Sequence, residues 1–198
     1  MNQREYSWTD KELEQFGGDI IKIFEEGKYV EKMGSIINLD HNGTNEIYDG
    51  QQRTITTVLT LYNISLKLPN IKDKIIGKLS LDGDMDELND MQIKLKEEKN
   101  IDIIPTISCI NPFDMNSLCD VFNGKCKHFM DYIEYEENSE KYICKICKEN
   151  ITEKSKAYRH LEKLHDIQCK PKDTSKIYNA NEKIYNLLST LNYDEEKY

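Results

Sequence analysis

The sequence predicts an α+β domain that carries a small metal-binding module. Two short strand-like runs flank an Asn-Gly turn, apolar residues recur at helical spacing after Gly50, and two cysteines precede two histidines further along the chain. A chain of 198 residues is long enough for one ordinary domain and one small module. We expect the main domain at 1–125, the module at 140–170, and a last helix at 175–191 that packs on the main domain.

The first predicted helix begins with a capping box. Thr9 and Glu12 have the Thr-x-x-Glu spacing in which the two residues satisfy free N–H groups at the start of a helix. The apolar positions that continue this helix are Leu13, Phe16, Ile20 and Phe24. Gly17-Gly18 predicts an irregularity within it.

A hairpin and a second helix follow. Met33 to Leu39 and Glu46 to Tyr48 are strand-like, and the segment between them contains Asn42-Gly43, a pair typical of hairpin turns. After Gly50, one face of an amphipathic helix is formed by Ile55, Val58, Leu59 and Tyr62. The predicted order is therefore hairpin, tight turn, helix.

This junction has the residue types of an anion site. The first N–H groups of a helix lack intrahelical partners, and the helix dipole favours a negative charge there. Gly50 allows a close approach to the backbone, Arg53 offers a planar fork for phosphate oxygens, and the amides of Gln51 and Gln52 can donate or accept. Asp49 either caps the helix or holds a metal ion or a water. The alternative is an ordinary helix cap with a solvated first turn.

The remainder of the main domain is less regular. Residues 67–100 are highly charged. The acidic segment 82–90 resembles the start of a calcium loop but lacks the glycine and the closing glutamate that such a loop needs, so it predicts a solvated loop or helix start. Ile101 to Thr106 resembles a strand, Asp114 to Phe122 a short helix ending near Asn123-Gly124, and Ser175 to Leu191 a last helix.

Four residues have the spacing of a zinc finger. Cys144, Cys147, His160 and His165 form a Cys-x2-Cys-x12-His-x4-His pattern, which supplies the tetrahedral set of thiolates and imidazoles that Zn²⁺ prefers. Metal binding would replace the core that so short a segment lacks. Tyr142 and Ile151 occupy core positions, and the small Ala157 predicts a core with few large side chains. Accidental spacing of buried cysteines and surface histidines is the alternative.

Whether this finger contacts DNA is a separate question. Counting back from His160, the usual base-contacting positions fall on Glu153, Lys156 and Arg159. The two cations suit guanine or phosphate, whereas Glu153 repels phosphate. Because one finger seldom gives useful affinity alone, a structural or protein-binding finger is slightly favoured over a DNA-binding one.

Composition restricts the class of protein. A net charge of −9 argues against a surface that coats nucleic acid, so any DNA contact is expected to be local. The sequence contains no long apolar run and no apparent signal peptide, which predicts a protein that neither enters a membrane nor is secreted. Thiolates needed for zinc imply reduced cysteines, and hence the cytoplasm or nucleus.

Several motifs together resemble a known family. They are Asp49-Gly50-Gln51-Gln52-Arg53 followed by Thr56-Thr57, the opening Gln3-Arg4-Glu5-Tyr6-Ser7-Trp8, Asp19-Ile20 and Gly34-Ser35-Ile36. In order and spacing they resemble the N-terminal domain family of GmrSD-type restriction endonucleases. This resemblance implies a fold similar to ParB and sulfiredoxin, a small mixed sheet with helices. It also implies nucleotide binding or hydrolysis coupled to attack on foreign or modified DNA.

The same resemblance implies a set of site residues. The nucleotide pocket would comprise Arg4, Gly50, Gln51, Gln52 and Arg53, with Asp49, Gln52 and Arg53 as catalytic residues. The bound species would be a nucleoside triphosphate with Mg²⁺. Tyr6 and Trp8 are expected to pack.

Three hypotheses follow. The chain is a nucleoside triphosphatase or a subunit of a restriction-type enzyme, a non-catalytic adaptor whose finger docks a protein or nucleic acid, or a fragment of a larger protein. The four histidines form no His-Asn-His nuclease pattern, which favours the adaptor. Substitution of Arg53 or Asp49 distinguishes the first two hypotheses, because it should not change nucleotide binding if the pocket is inactive.

Overall fold

The structure, a computed structural model, describes residues 4–27, 34–41, 44–68, 70, 72–79, 97, 112–124, 127–169 and 176–191. The chain divides into two compact units. The first combines Met1–Asn123 with Ser175–Tyr198, and the second is Gly124–Thr174. In sequence, the second unit therefore lies between the two parts of the first.

Helices and antiparallel strands make up the described residues. In chain order these elements are α1 (Asp10–Glu25), β1 (Ile37–His41), β2 (Thr44–Asp49), α2 (Gln51–Lys67), α3 (Lys72–Leu79), α4 (Pro112–Phe122), α5 (Phe129–Tyr132), β3 (Ile133–Glu136), β4 (Lys141–Cys144), β5 (Asn150–Ile151), α6 (Lys154–His165) and α7 (Lys176–Ser189). The predicted α+β class is confirmed. The strands form a β1-β2 sheet and a β3-β4-β5 sheet, and the parallel pairing of a mixed sheet is absent from the described strands. None of the described helices is long and apolar enough to cross a membrane.

The hairpin forms as the sequence predicts. β1 and β2 pair with His41 opposite Thr44, and the predicted Asn42-Gly43 turn itself lies outside the described residues. The register shifts between Ile37 and Asn38, so that Ile37 lies opposite Asp49. Such a bulge bends the strand. It lies next to the junction with α2.

The core of the first unit forms around α2. Ile55 and Leu59 are fully buried, as their helical spacing predicts, and Tyr62 stacks on Phe122 with ring centroids 4.6 Å apart. α7 packs against α1, α2 and α4. A buried hydrogen bond of 2.8 Å from Asn63 Nδ2 to Asn181 Oδ1 joins α2 to α7. Helices distant in sequence thus share one core.

The predicted capping box is confirmed. Thr9 donates to Glu12 Oε2 from its backbone nitrogen at 2.8 Å and from its hydroxyl at 2.5 Å. The irregularity predicted at Gly17-Gly18 is wrong, because α1 continues unbroken through both residues. Gly17 instead lies directly against Leu187, where a Cβ would clash. This glycine permits close packing of α1 and α7.

The later helices of the first unit agree with the sequence. α4 ends one residue before Asn123, and Gly124 follows with φ of +65°, a conformation that favours glycine. α7 lies within the predicted 175–191. The strand predicted at Ile101 to Thr106 and the acidic residues at 82–90 are outside the described residues.

The second unit has its own small core. Its buried residues are Phe129, Ile133, Cys144, Ile151, Ala157 and Leu161. Phe129 contacts Tyr158, with ring centroids 4.2 Å apart, and belongs to the same buried cluster as the small Ala157. This unit extends beyond the 140–170 module predicted from the ligand spacing, because α5 and β3 contribute to its core.

Candidate functional site

The helix α2 begins directly after the junction with β2. Gly50 is the N-cap residue of α2, with φ of +100°, and because it has no side chain it makes no side-chain capping hydrogen bond. Thr54 N donates to Gly50 O at 2.9 Å, so regular helical bonding begins there. Asp49 is therefore not the helix cap, contrary to one of its two predicted roles. The N–H groups of Gln51, Gln52 and Arg53 lack intrahelical acceptors.

Segment 34–36 lies close to this junction. A Cβ at Gly50 would be 3.1 Å from Ser35 O and 3.1 Å from Ile36 Cγ1, tighter than ordinary van der Waals contact. Its left-handed backbone also disfavours other residues. Both the close neighbours and the backbone conformation therefore favour glycine at position 50.

Arg53 lies between Gly34 and Asp49. Its guanidinium and Cδ fill the space that a Cβ of Gly34 would occupy. On another side, Arg53 Nη2 lies 3.5 Å from Asp49 Oδ2. The Arg53 side chain is 32% exposed and that of Asp49 59%, so both are open to a solute. A cation is thus held within one turn of the open start of α2.

The two adjacent glutamines differ in their contacts. Gln51 is buried, and its Nε2 is a buried donor without a hydrogen-bond partner among the described residues. Such a group costs free energy unless a water or ligand satisfies it. Both polar atoms of the Gln52 side-chain amide are hydrogen-bonded. Its Oε1 accepts from Ser7 N at 2.7 Å, and its Nε2 donates to Glu5 O at 3.4 Å.

The opening motif is fixed beside α2 by long-range hydrogen bonds. Tyr6 N donates to the buried Asp114 Oδ2 at 2.7 Å, and the Tyr6 hydroxyl lies 2.7 Å from Thr56 Oγ1. Burial raises the pKa of the Tyr6 phenol well above its ordinary value. Arg4 precedes Glu5, whose carbonyl contacts Gln52, and so lies near the start of α2. Trp8 packs on Phe16, with ring centroids 5.7 Å apart.

In the second unit, the four predicted metal ligands converge. One donor atom from each of Cys144, Cys147, His160 and His165 lies within 4.8 Å of the others. Cys144 is the last residue of β4, Cys147 ends the following turn, and both histidines are on α6. Lys148 N donates to Cys144 O at 2.8 Å and closes the turn between the cysteines.

The distances between these donors fit a tetrahedral zinc site. Zn–S bonds of about 2.3 Å and Zn–N bonds of about 2.05 Å give tetrahedral S···N edges of about 3.5 Å and N···N edges of about 3.3 Å. The S···N distances are 3.5 Å for Cys144 with His165 and 3.3 Å for Cys147 with His160. The two Nε2 atoms are 3.3 Å apart. The residues therefore fit the ion in chemistry and in spacing.

A carboxylate lies behind one of the imidazoles. Glu149 Oε2 is 3.6 Å from Nδ1 of His160, the ring nitrogen on the side away from the donor cluster. Carboxylates in this position orient metal-binding histidines and fix their tautomer. Glu149 was not predicted from the sequence, although its position two residues after Cys147 was a usable signal.

The predicted nucleic-acid residues lie on α6. Lys156 and Arg159 are both exposed, and Glu153 immediately precedes the helix. Lys156 Nζ contacts Glu153 Oε1 at 2.6 Å, and this contact holds the pKa of the Glu153 carboxyl below its usual range. Lys156 is thus partly neutralised within the protein.

Comparison with known families gives a match over nearly the whole chain. The model of the GmrSD restriction endonuclease, N-terminal domain, matches residues 2–197. The chain belongs to this family. No curated protein and no solved structure matches it. The family match includes the finger residues, and the Asp-Gly-Gln-Gln-Arg motif of this GmrSD N-terminal domain lies at the open start of α2.

Proposed function

We propose that this GmrSD N-terminal domain binds a nucleoside triphosphate at the start of α2, as part of a DNA-targeting restriction system. The observation that carries the proposal is the buried Nε2 of Gln51, the first residue of α2, which has no hydrogen-bond partner among the described residues. Free N–H groups, a helix dipole and an unused amide donor together favour a polyanion. Arg53 adds a guanidinium within one turn of this helix start.

Each predicted pocket residue has a distinct part in the proposal. Gly50 adopts the left-handed backbone that precedes α2 and leaves room for Ser35 and Ile36, and Gln51 and Arg53 donate to phosphate oxygens. Gln52 acts as a positioning residue, because its amide holds the backbone of Glu5 and Ser7. It thereby keeps Arg4 near the phosphates.

Hydrolysis is the catalytic extension of this proposal. Asp49 would accept a proton from the water that attacks the γ-phosphorus, releasing inorganic phosphate and a nucleoside diphosphate. Arg53 and the helix N–H groups would stabilise the charge that develops on the phosphate oxygens. Asp49 is also the residue that would hold Mg²⁺, which would supply further charge neutralisation. Asp49 would have to exchange its contact with Arg53 for these roles.

Nucleotide titration tests the binding step. The full chain is titrated with labelled nucleoside triphosphates and Mg²⁺, and compared with Arg53→Ala. Loss of a charge-assisted contact should weaken binding by about tenfold or more. Arg159→Ala removes the same charge from the second unit and should leave the affinity unchanged. Equal binding by all three proteins would refute the assigned pocket.

Turnover is a separate measurement. Phosphate release by the wild-type chain should be abolished by Asp49→Ala, while triphosphate binding persists. Binding without any turnover favours the adaptor hypothesis, in which the pocket is non-catalytic.

The finger is proposed to hold Zn²⁺ through Cys144, Cys147, His160 and His165. The agreement of three donor distances with a tetrahedron supports it. Bound zinc would fix α6 against β4 and stabilise the small core. Metal analysis should give one zinc per chain and a loss with Cys147→Ala, whereas Cys169→Ala, a cysteine of the same unit outside the ligand set, should retain it. Retention by Cys147→Ala would contradict the assignment.

We also propose that the finger makes a weak, local contact with DNA. The exposed Arg159 supports this, whereas the Glu153 contact reduces the contribution expected of Lys156. Binding to a DNA duplex at low salt should therefore fall more with Arg159→Ala than with Lys156→Ala. Lys183→Ala, on α7, is the control for a general change in charge. If neither finger substitution affects binding, the finger is a structural or protein-binding module.

A further inference from the structure

We infer that Gly34 is a positioning residue for Arg53, and that the absence of a side chain at Gly34 keeps the guanidinium at the start of α2. This inference rests on the proposed nucleotide site for its chemical meaning. The steric relation between the two residues can be tested without any nucleotide.

Gly34 lies directly against the Arg53 side chain. A Cβ on Gly34 would overlap the Arg53 guanidinium and lie within 3.3 Å of its Cδ. By contrast, a Cβ on Gly18 or Gly27 would meet nothing within 4 Å. Gly34 therefore provides space that Arg53 occupies.

Arg53 is consequently restrained from two directions. The backbone of Gly34 lies on one side, and Asp49 Oδ2 contacts Nη2 at 3.5 Å on another. An arginine held near one rotamer before binding loses less conformational freedom when it binds an anion. Displacing it by a Cβ would remove that advantage and move the charge away from the open N–H groups. Gly34 thus contributes to binding without contacting the ligand.

The simpler explanation for Gly34 is backbone conformation alone. Its φ of +102° disfavours residues with a Cβ, whatever lies nearby. Gly27 is the comparison for this effect, since its φ is +61° in open space. A double-mutant cycle separates the two explanations, because backbone strain at Gly34 persists when Arg53 is removed, whereas the overlap does not.

Thermal unfolding of the full chain gives the first readout. The cycle comprises wild type, Gly34→Ala, Arg53→Ala and the double variant, followed by the fluorescence of Trp8, the single tryptophan. The loss in Tm caused by Gly34→Ala should be smaller in the Arg53→Ala background, by a modest amount because the flexible end of the arginine can shift. Additive losses would overturn the inference. Gly27→Ala should cause the same loss in both backgrounds.

The cycle remains informative if Gly34→Ala does not fold. A folded Gly34→Ala/Arg53→Ala double variant would then support the steric relation, because removing the guanidinium rescues the substitution. An unfolded double variant would assign the defect to backbone strain and overturn the inference.

Triphosphate binding gives the second readout, at a temperature where the variants are folded. Gly34→Ala should weaken binding by about tenfold or more, as Arg53→Ala does, and the double variant should lose no more than either. Unchanged binding by Gly34→Ala would overturn the positioning role. A wild-type chain that binds no triphosphate would instead refute the proposed function, while the unfolding cycle would still decide the steric relation.

Discussion

The junction at α2 and the finger are organised in different ways. The finger brings four donors together from residues 144 to 165, around a core of few large side chains. The junction depends on partners far away in sequence: Ser7 contacts Gln52, Tyr6 contacts Thr56 and Asp114, and Gly34 makes room for Arg53. With the proposed zinc bound, the finger would depend on its ion for stability, whereas the junction is held by a protein core. The junction and the finger should therefore lose their structure under different conditions.

Metal removal should have the largest effect. Structural zinc in finger peptides contributes about 10–16 kcal/mol of apparent binding free energy, so a chelator should unfold the second unit. Circular dichroism should report the loss of β3, β4 and α6. Trp8 lies in the first unit, and its fluorescence should not change. A simultaneous change in Trp8 fluorescence would show that the stabilities of the two units are coupled.

Truncation of a core side chain in the first unit should destabilise that unit and leave zinc binding by the finger unchanged. Leu59 is fully buried in the first unit, so Leu59→Ala should lower its free energy of unfolding by about 2–5 kcal/mol. Denaturation followed by Trp8 fluorescence measures this loss, and zinc affinity should be unaffected. Leu161→Ala is the matched change in the finger core and should weaken zinc binding while leaving the Trp8 transition in place. The same response from both variants would contradict separate cores.

Substitution of Tyr6 tests the hydrogen bonds that hold the opening motif. Tyr6→Phe removes the hydroxyl contact with Thr56 and should cost about 1 kcal/mol near neutral pH. Because burial raises the pKa of the Tyr6 phenol, its protonated form stabilises the fold below the ordinary phenol pKa of about 10, and this contribution is lost as the pH rises further.

Alkaline denaturation measures that second effect. The wild-type chain should lose more stability than Tyr6→Phe as the pH rises above about 10, since the other tyrosines are common to both proteins. Parallel pH profiles would contradict a buried phenol at this position.

The capping box should give the smallest effect. Hydrogen bonds from Thr9 lower the pKa of Glu12, so its contribution is present above the ordinary glutamate pKa and lost as the pH falls through the folded value. Glu12→Gln should cause a small loss in thermal stability that disappears under acid conditions. The second unit should not respond. A loss that is constant with pH would indicate that the carboxylate charge is unimportant.

The sequence predicted local features better than distant contacts. The hairpin, the start of α2 and the four ligand positions depend on spacing within about 25 residues, and helical and metal-ligand periodicities describe such spacing directly. Asp49 as a helix cap was wrong because Gly50 adopts a left-handed conformation and precedes the helix itself. Gly17 was misinterpreted because the neighbour that requires it, Leu187, is distant in the chain.

The contacts that the sequence did not predict share that property. Ser7 and Gly34 both belong to the motifs quoted above, but their contacts with Gln52 and Arg53 arise only when the chain folds. Phe129 joins the finger core from outside the ligand pattern. Periodicity contains no information about such pairings, which arise when separate elements pack together.

The discontinuity of the first unit has a consequence for synthesis on the ribosome. α7 packs against α1, α2 and α4, so the first core is incomplete until residues 176–189 have been translated. By then the whole of Gly124–Thr174 has already been made as one continuous stretch. Because continuous segments can fold as they emerge, the later-encoded unit should reach its native state before the one that contains the N-terminus.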